Sequence, residues 1–204
     1  MLNLGPSEKR ERGVMSMLYH VSPHAGLKTL YPHASSHKNA YVYAVEDLVT
    51  GLLFGVNHDD FDFCISTGEN GLTTVYECYP DAFKNIYQGK RCSVYVVDAE
   101  GFQRGLTSWS AELVCDTEVA VRNEITVADL YERLIEEEVL GNIKICRYEF
   151  NDNYRKKISA HVVDRFIRFD IDLHNCLERD IRFSTHYKGI VEGLLNLMDG
   201  HLLQ

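Results

Sequence analysis

The hydrophobic and polar positions of this chain keep two rhythms, a strand-like one first and a helix-like one later. Leu18-Tyr19-His20-Val21-Ser22-Pro23 is a short run of strand formers that a Ser-Pro turn stops. Tyr41-Val42-Tyr43-Ala44-Val45 predicts a second strand that runs straight into an apolar helix. In that helix Leu48, Leu52 and Val56 share a face, with acidic residues at the amino end. Phe61-Asp62-Phe63-Cys64-Ile65 and the segment from Leu72 to Tyr79 predict strands on either side of a turn marked by Gly68 and Gly71. Pro80 starts a short helix from Asp81 to Tyr87, which Gly89 ends. Cys92-Ser93-Val94-Tyr95-Val96-Val97 is the clearest strand and closes in the acidic turn Asp98-Ala99-Glu100-Gly101.

A loop from Gln103 to Ser110 holds the only tryptophan, Trp109. Two β-rich pieces follow, Glu112 to Cys115 and Glu118 to Val121. Thr126-Val127-Ala128-Asp129 resembles a capping box, with Asp in place of Glu, ahead of a helix from Leu130 to Leu140. After Gly141 the rhythm becomes helical: Ile158, Val162, Phe166, Phe169 and Leu173, then Ile190, Leu194, Leu197 and Met198. Strands in the middle and helices at the end imply an α+β fold rather than a βαβ repeat.

A length of 204 residues suits one domain, with or without an appendage, and suffices to bury a core. The net charge of −9 argues against a general nucleic-acid or anionic-membrane binder, because either needs a basic surface. Six cysteines are scattered singly, with no zinc-ligand spacing, so no metal is expected. The polar segment 1–16 lacks the apolar centre of a signal peptide and reads as a leader without assigned function. No apolar run approaches the ~20 residues of a membrane helix, and a reduced, cytoplasmic protein is the simplest expectation. His24, His33 and His37 share a Ser- and Pro-containing loop and read as exposed loop histidines rather than metal ligands.

Taken in order, four pieces within residues 17–140 resemble the ADP-ribosyltransferase fold. The branch they resemble is the His–Tyr–acid one, which includes diphtheria-toxin-like enzymes and the small rifamycin-inactivating transferases. Tyr19-His20-Val21-Ser22 is similar to the family's first strand, Tyr-His-Gly-Thr or Tyr-His-Gly-Ser. Tyr41-Val42-Tyr43 with its helix is similar to the second strand. Ser93 to Asp98 with Gly101-Phe102 resembles a Val-Tyr-Val-Val-Glu strand and turn. Trp109 to Glu118 resembles the loop and strand that bring in the acid.

The resemblance implies two small, mainly antiparallel sheets around a cleft, with an appended C-terminal helical segment over 141–204. That segment buttresses the fold, mediates homodimerisation or contacts the macromolecule being modified. The implied activity is NAD-dependent mono-ADP-ribosyl transfer to an unknown acceptor, protein or small molecule, with NAD as the substrate. The alternative is a non-catalytic interaction protein that keeps the scaffold. RNA 2′-phosphotransfer ranks third, because it needs a basic phosphate site.

In NAD the ribose–nicotinamide bond breaks through an oxocarbenium-like transition state, as in glycoside hydrolysis. By resemblance, His20 holds a ribose, and Tyr43 stacks on the nicotinamidium ring, a contact of roughly 0.5–2 kcal/mol. Phe54 adds a second aromatic, and Val21 and Ser22 contact the dinucleotide. An acid stabilises the developing charge. Glu118 is favoured for that role because Asp116-Thr117-Glu118 resembles the family's acid-x-Glu pattern. Asp98 and Glu100 are its rivals, and Glu112 stands third. One departure is plain: Val21 occupies the place of the family's glycine, so a Cβ and two methyls stand where the backbone approaches the nicotinamide amide. Taken singly, each of these residues also has an ordinary reading as a capped histidine, a sheet tyrosine, a core phenylalanine or an edge charge.

Overall fold

The computed structural model describes residues 17–34, 39–58, 62–68, 71–107 and 109–169. In chain order the elements are β1 (Met17–Ser22), β2 (Thr29–Leu30), β3 (His33–Ala34), β4 (Ala40–Val45), α1 (Leu48–Leu52), β5 (Phe63–Thr67), β6 (Thr73–Glu77), α2 (Ala82–Tyr87) and β7 (Cys92–Asp98). They continue with β8 (Gln103–Arg104), β9 (Glu112–Cys115), β10 (Val119–Ala120), β11 (Asn123–Val127), α3 (Leu130–Val139), β12 (Ile143–Cys146) and α4 (Asp152–Phe169). The fold is mixed α+β, with mainly antiparallel sheets.

The period-two alternation of β7 sets the layering. Its Cys92 and Val94 enter one apolar cluster, and its Tyr95 and Val97 enter another. The first cluster contains α1, α2, α3, α4 and the three-stranded sheet β12-β6-β5. The second lies among Leu18, Leu30, Val42, Ala44, Leu113 and Cys115. Strand order in the main sheet is β11-β7-β1-β4-β9-β8, with β3 added on β4. Within α3, Leu130 and Leu134 are one turn apart and fully buried; such side chains contribute about 1.5–3 kcal/mol each. Tyr154, Ile158 and Val162 repeat that spacing on α4 and seat it on the same cluster, as the periodicity predicts.

Several expectations need correction. Among the described residues, one seven-stranded sheet, a three-stranded sheet and the two-stranded ladder β10-β2 replace two small sheets. Helix α1 ends at Leu52, so Val56 and Phe54 lie beyond it. The cap of α3 is Asp129 itself, which accepts from the Glu132 N–H, whereas Thr126 belongs to β11. Gly141 is followed by a strand: β12 pairs in parallel with β6, from Ile143↔Thr73 to Cys146↔Tyr76. Packing is therefore continuous through residue 141, and helix resumes at Asp152. The leader 1–16, Phe61, His37, Cys176 and the repeat from Ile190 to Met198 lie outside the described residues.

Among the described residues, no helix is long and apolar enough to cross a membrane.

Candidate functional site

Strand β1 is held unequally on its two sides. Against β7 it pairs along its whole length, from Met17↔Asp98 to Ser22↔Ser93. Against β4 the described ladder is the single pair Tyr19↔Val45. Beyond that pair a side chain replaces the backbone ladder: His20 Nδ1 donates to the Tyr43 carbonyl at 2.7 Å. A carbonyl only accepts, so Nδ1 bears the hydrogen, and in the neutral ring Nε2 keeps its lone pair. Burial lowers the His20 pKa; the bond to Tyr43 opposes this, and nearby His33 adds to it. The neutral imidazole is thus favoured, and its Nε2 can accept from a hydroxyl.

The gap between β1 and β4 opens into a cavity of about 670 Å³. His20, Val21, Ser22, Tyr43 and Phe54 all line it, so the structure brings together five of the residues singled out from sequence. The acid differs. Glu118 is exposed ahead of β10, outside the cavity lining. Asp98 is bound to Arg122, whose Nε and Nη2 donate at 2.7 and 2.5 Å, and Glu100 is exposed in the turn after β7. Glu112 is the carboxylate that lines the cavity. It opens β9 opposite Val45, which in turn faces Tyr19, so Tyr19, Val45 and Glu112 lie side by side across three strands.

Two aromatic groups shape the walls. The Tyr43 ring meets His33 edge-on at 5.6 Å and Tyr41 at 6.1 Å. Phe54 lies 5.2 Å from Trp109 and 5.9 Å from His58, and His58 reaches back to core Phe63 at 4.9 Å. Phe54 is only partly covered, at 38% exposure, as suits a ring that faces an open cavity.

The departure at Val21 has a structural complement. A Cβ on Gly51 of α1 would come within 3.2 Å of Val21 Cγ2 and 3.0 Å of Val45 Cγ2. The valine side chain is accommodated because the helix facing it has none at that position. Val21 also packs on the first apolar cluster, so its methyls belong to the core as well as to the cavity wall.

The loop after β1 is fixed from behind. The buried Tyr95 hydroxyl donates to the His24 carbonyl at 2.6 Å and accepts from the Leu27 N–H at 3.2 Å. Glu124 Oε1 accepts from the Gly26 N–H at 2.9 Å and from the Ser93 hydroxyl at 2.8 Å. The Gly26 N–H first, and Ser93 next, hold the Glu124 carboxyl below the usual carboxylate range.

Trp109, His24, His33 and His58 also line the cavity, beyond the residues singled out from sequence. Trp109 was legible as the lone tryptophan three positions before an acid. His24 and His33 were not, because the β3 and β10 ladders that fold their loop back are two residues long. No group of three or more potential metal ligands occurs among the described residues. In comparisons with protein-family models, curated proteins and solved structures, the chain matches none.

Proposed function

We propose that this chain is an NAD-dependent mono-ADP-ribosyltransferase-like enzyme of the His–Tyr–acid type, its acid being Glu112. One observation carries the reading: His20, Tyr43 and Glu112, from three adjacent strands, line the same cavity. Neutral His20 accepts from a ribose hydroxyl through Nε2. Tyr43, with Phe54 and Trp109, offers π faces to the cationic nicotinamide ring. As the glycosidic bond breaks, nicotinamide leaves with the bonding electron pair, and the Glu112 carboxylate stabilises the positive charge on the ribose. An acceptor nucleophile then attacks the anomeric carbon, forms the new glycosidic bond and releases its proton to solvent. The finer fold description, an ADP-ribosyltransferase-like cleft with further helical structure toward the C-terminus, belongs to the same proposal. RNA 2′-phosphotransfer is less well supported, because the described lining contains neither lysine nor arginine.

The test combines binding with turnover. At a hundredfold excess over Kd, NAD should stabilise the fold by about 2.7 kcal/mol, seen as a thermal shift. Nicotinamide release should fall by about 10²–10³ in Glu112→Gln, whose NAD-induced thermal shift persists, whereas Glu118→Gln stays near wild type. If NAD produces neither a thermal shift nor nicotinamide, the proposal fails and the interaction-protein reading takes its place.

A further inference from the structure

The cavity has an unusual charge inventory for a dinucleotide. Among its described lining residues Glu112 is the only carboxylate, lysine and arginine are missing, and four histidines supply the remaining ionisable nitrogen. A diphosphate entering such a cleft loses water, and a desolvated anion without a cationic partner is costly. Histidine is the side chain that changes charge between about pH 5 and pH 8.

The four histidines are not equivalent. His20 is fixed by its bond to the Tyr43 carbonyl, and burial favours its neutral form. His58 is half-buried at the aromatic end, against Phe54 and Phe63. His24 and His33 are exposed to solvent while lining the cavity, and both sit on the segment joining β1 to β4, at the His20 end. Water can therefore deliver a proton to either without passing through the core.

We propose that His24 and His33 are the phosphate-binding residues of this cleft, and that a diphosphate ligand enters together with protons taken from solvent onto their imidazoles. The ligand class rests on the function proposed above; the residues and the proton uptake go beyond it. Among the described residues, the ionisable groups around them are few. Tyr95 and Glu124 hold the His24 loop, with Lys28 close to Glu124. His33 meets Tyr43 and His20 and lies on β3 opposite Tyr41. Glu112 faces the cavity from β9.

The probe is ADP-ribose, which has the diphosphate but lacks the nicotinamidium charge. By isothermal titration its Kd should fall at least about tenfold from about pH 8 to pH 6, and its binding heat should vary with the buffer's ionisation enthalpy, as proton uptake requires. The double variant His24→Asn/His33→Asn should flatten that pH profile to within about threefold and remove the buffer dependence. Adenosine, without phosphates, should bind wild type and variant alike, which shows the variant folded. A flat ADP-ribose profile in wild type, or a slope that survives in the double variant, overturns the inference and leaves the proposed function standing. If ADP-ribose and NAD both fail to bind at any pH, the proposed function falls and the inference with it.

Discussion

Two glutamates, one in the core behind the main sheet and one in the cleft, are handled in opposite ways. Glu77, at the end of β6, is 2% exposed. Its Oε1 accepts from the Phe83 N–H and its Oε2 from the Tyr148 N–H, both at 2.9 Å, and its own carbonyl accepts from the Tyr154 hydroxyl. The carboxylate thereby ties a strand, a helix start and the approach to α4 into one unit. Glu112 opens a strand beside a 670 Å³ cavity, in register with Val45 and, through it, with Tyr19. Burial alone would have placed Glu77 ahead of Glu112. The distinction lies in location: the Glu77 oxygens are bound by backbone donors inside the core, whereas Glu112 belongs to the wall of a cavity.

The sharpest way to break this contrast is to remove the core acid. Glu77→Ala leaves two backbone donors without acceptors, each costing about 1–3 kcal/mol, so stability should fall by about 3 kcal/mol or more in urea titration. Glu112→Gln keeps the size of a half-buried side chain at the cavity wall, so its urea midpoint should fall by far less. Equal losses in the two variants would erase the distinction between structural and functional acid.

A smaller effect is expected where the regions meet. Gly51→Ala places a methyl 3.0–3.2 Å from Val45 and Val21. Overpacking of this kind costs about 1–3 kcal/mol, partly offset by the roughly 1 kcal/mol that alanine gains over glycine in a helix. A net loss of about 1 kcal/mol should shrink when Val21→Ala is introduced beside it, giving a non-additive double-mutant cycle. Strict additivity would show that Val21 and Gly51 do not share their space.

The smallest effect is a pH dependence. The His20 pKa is lowered on folding, so the unfolded chain binds more protons as pH drops below the unfolded value of about 6.5. Wild type should lose stability through this window and down to the lower folded pKa. His20→Asn should lose less, when urea midpoints at about pH 7.5 and pH 5.5 are compared. An identical acid limb in both proteins would mean that His20 is not held neutral.

What the sequence disclosed follows from the range of the forces involved. β1, β4 and β7 were legible because alternation and a stopping turn are local, and His20 and Tyr43 came with them. β12 was hidden because its parallel pairing with β6 spans some seventy residues, and a helical rhythm nearby claimed the segment. The cap of α3 was misplaced by three residues, because Thr126 and Asp129 both suit an N-cap and only the β11–β7 ladder, with Thr126↔Ser93, decides between them. Glu118 and Glu112 both head strand-like pieces, and a local acid-x-Glu pattern favoured Glu118. Their positions relative to the cavity separate only when β9 pairs with β4 and β10 with β2, a question of register that no local pattern states.

The packing of Val21 against Gly51 reaches past this one chain. Two positions thirty residues apart draw on one allotment of volume, so their occupants should vary as a pair in any lineage that keeps this cleft. Glycine after the histidine leaves room for a side chain on the helix, and a branched residue there requires the helix to be bare. A departure at one site then reads as half of an exchange, and the other half identifies the helix facing the cleft in a chain known only by its letters.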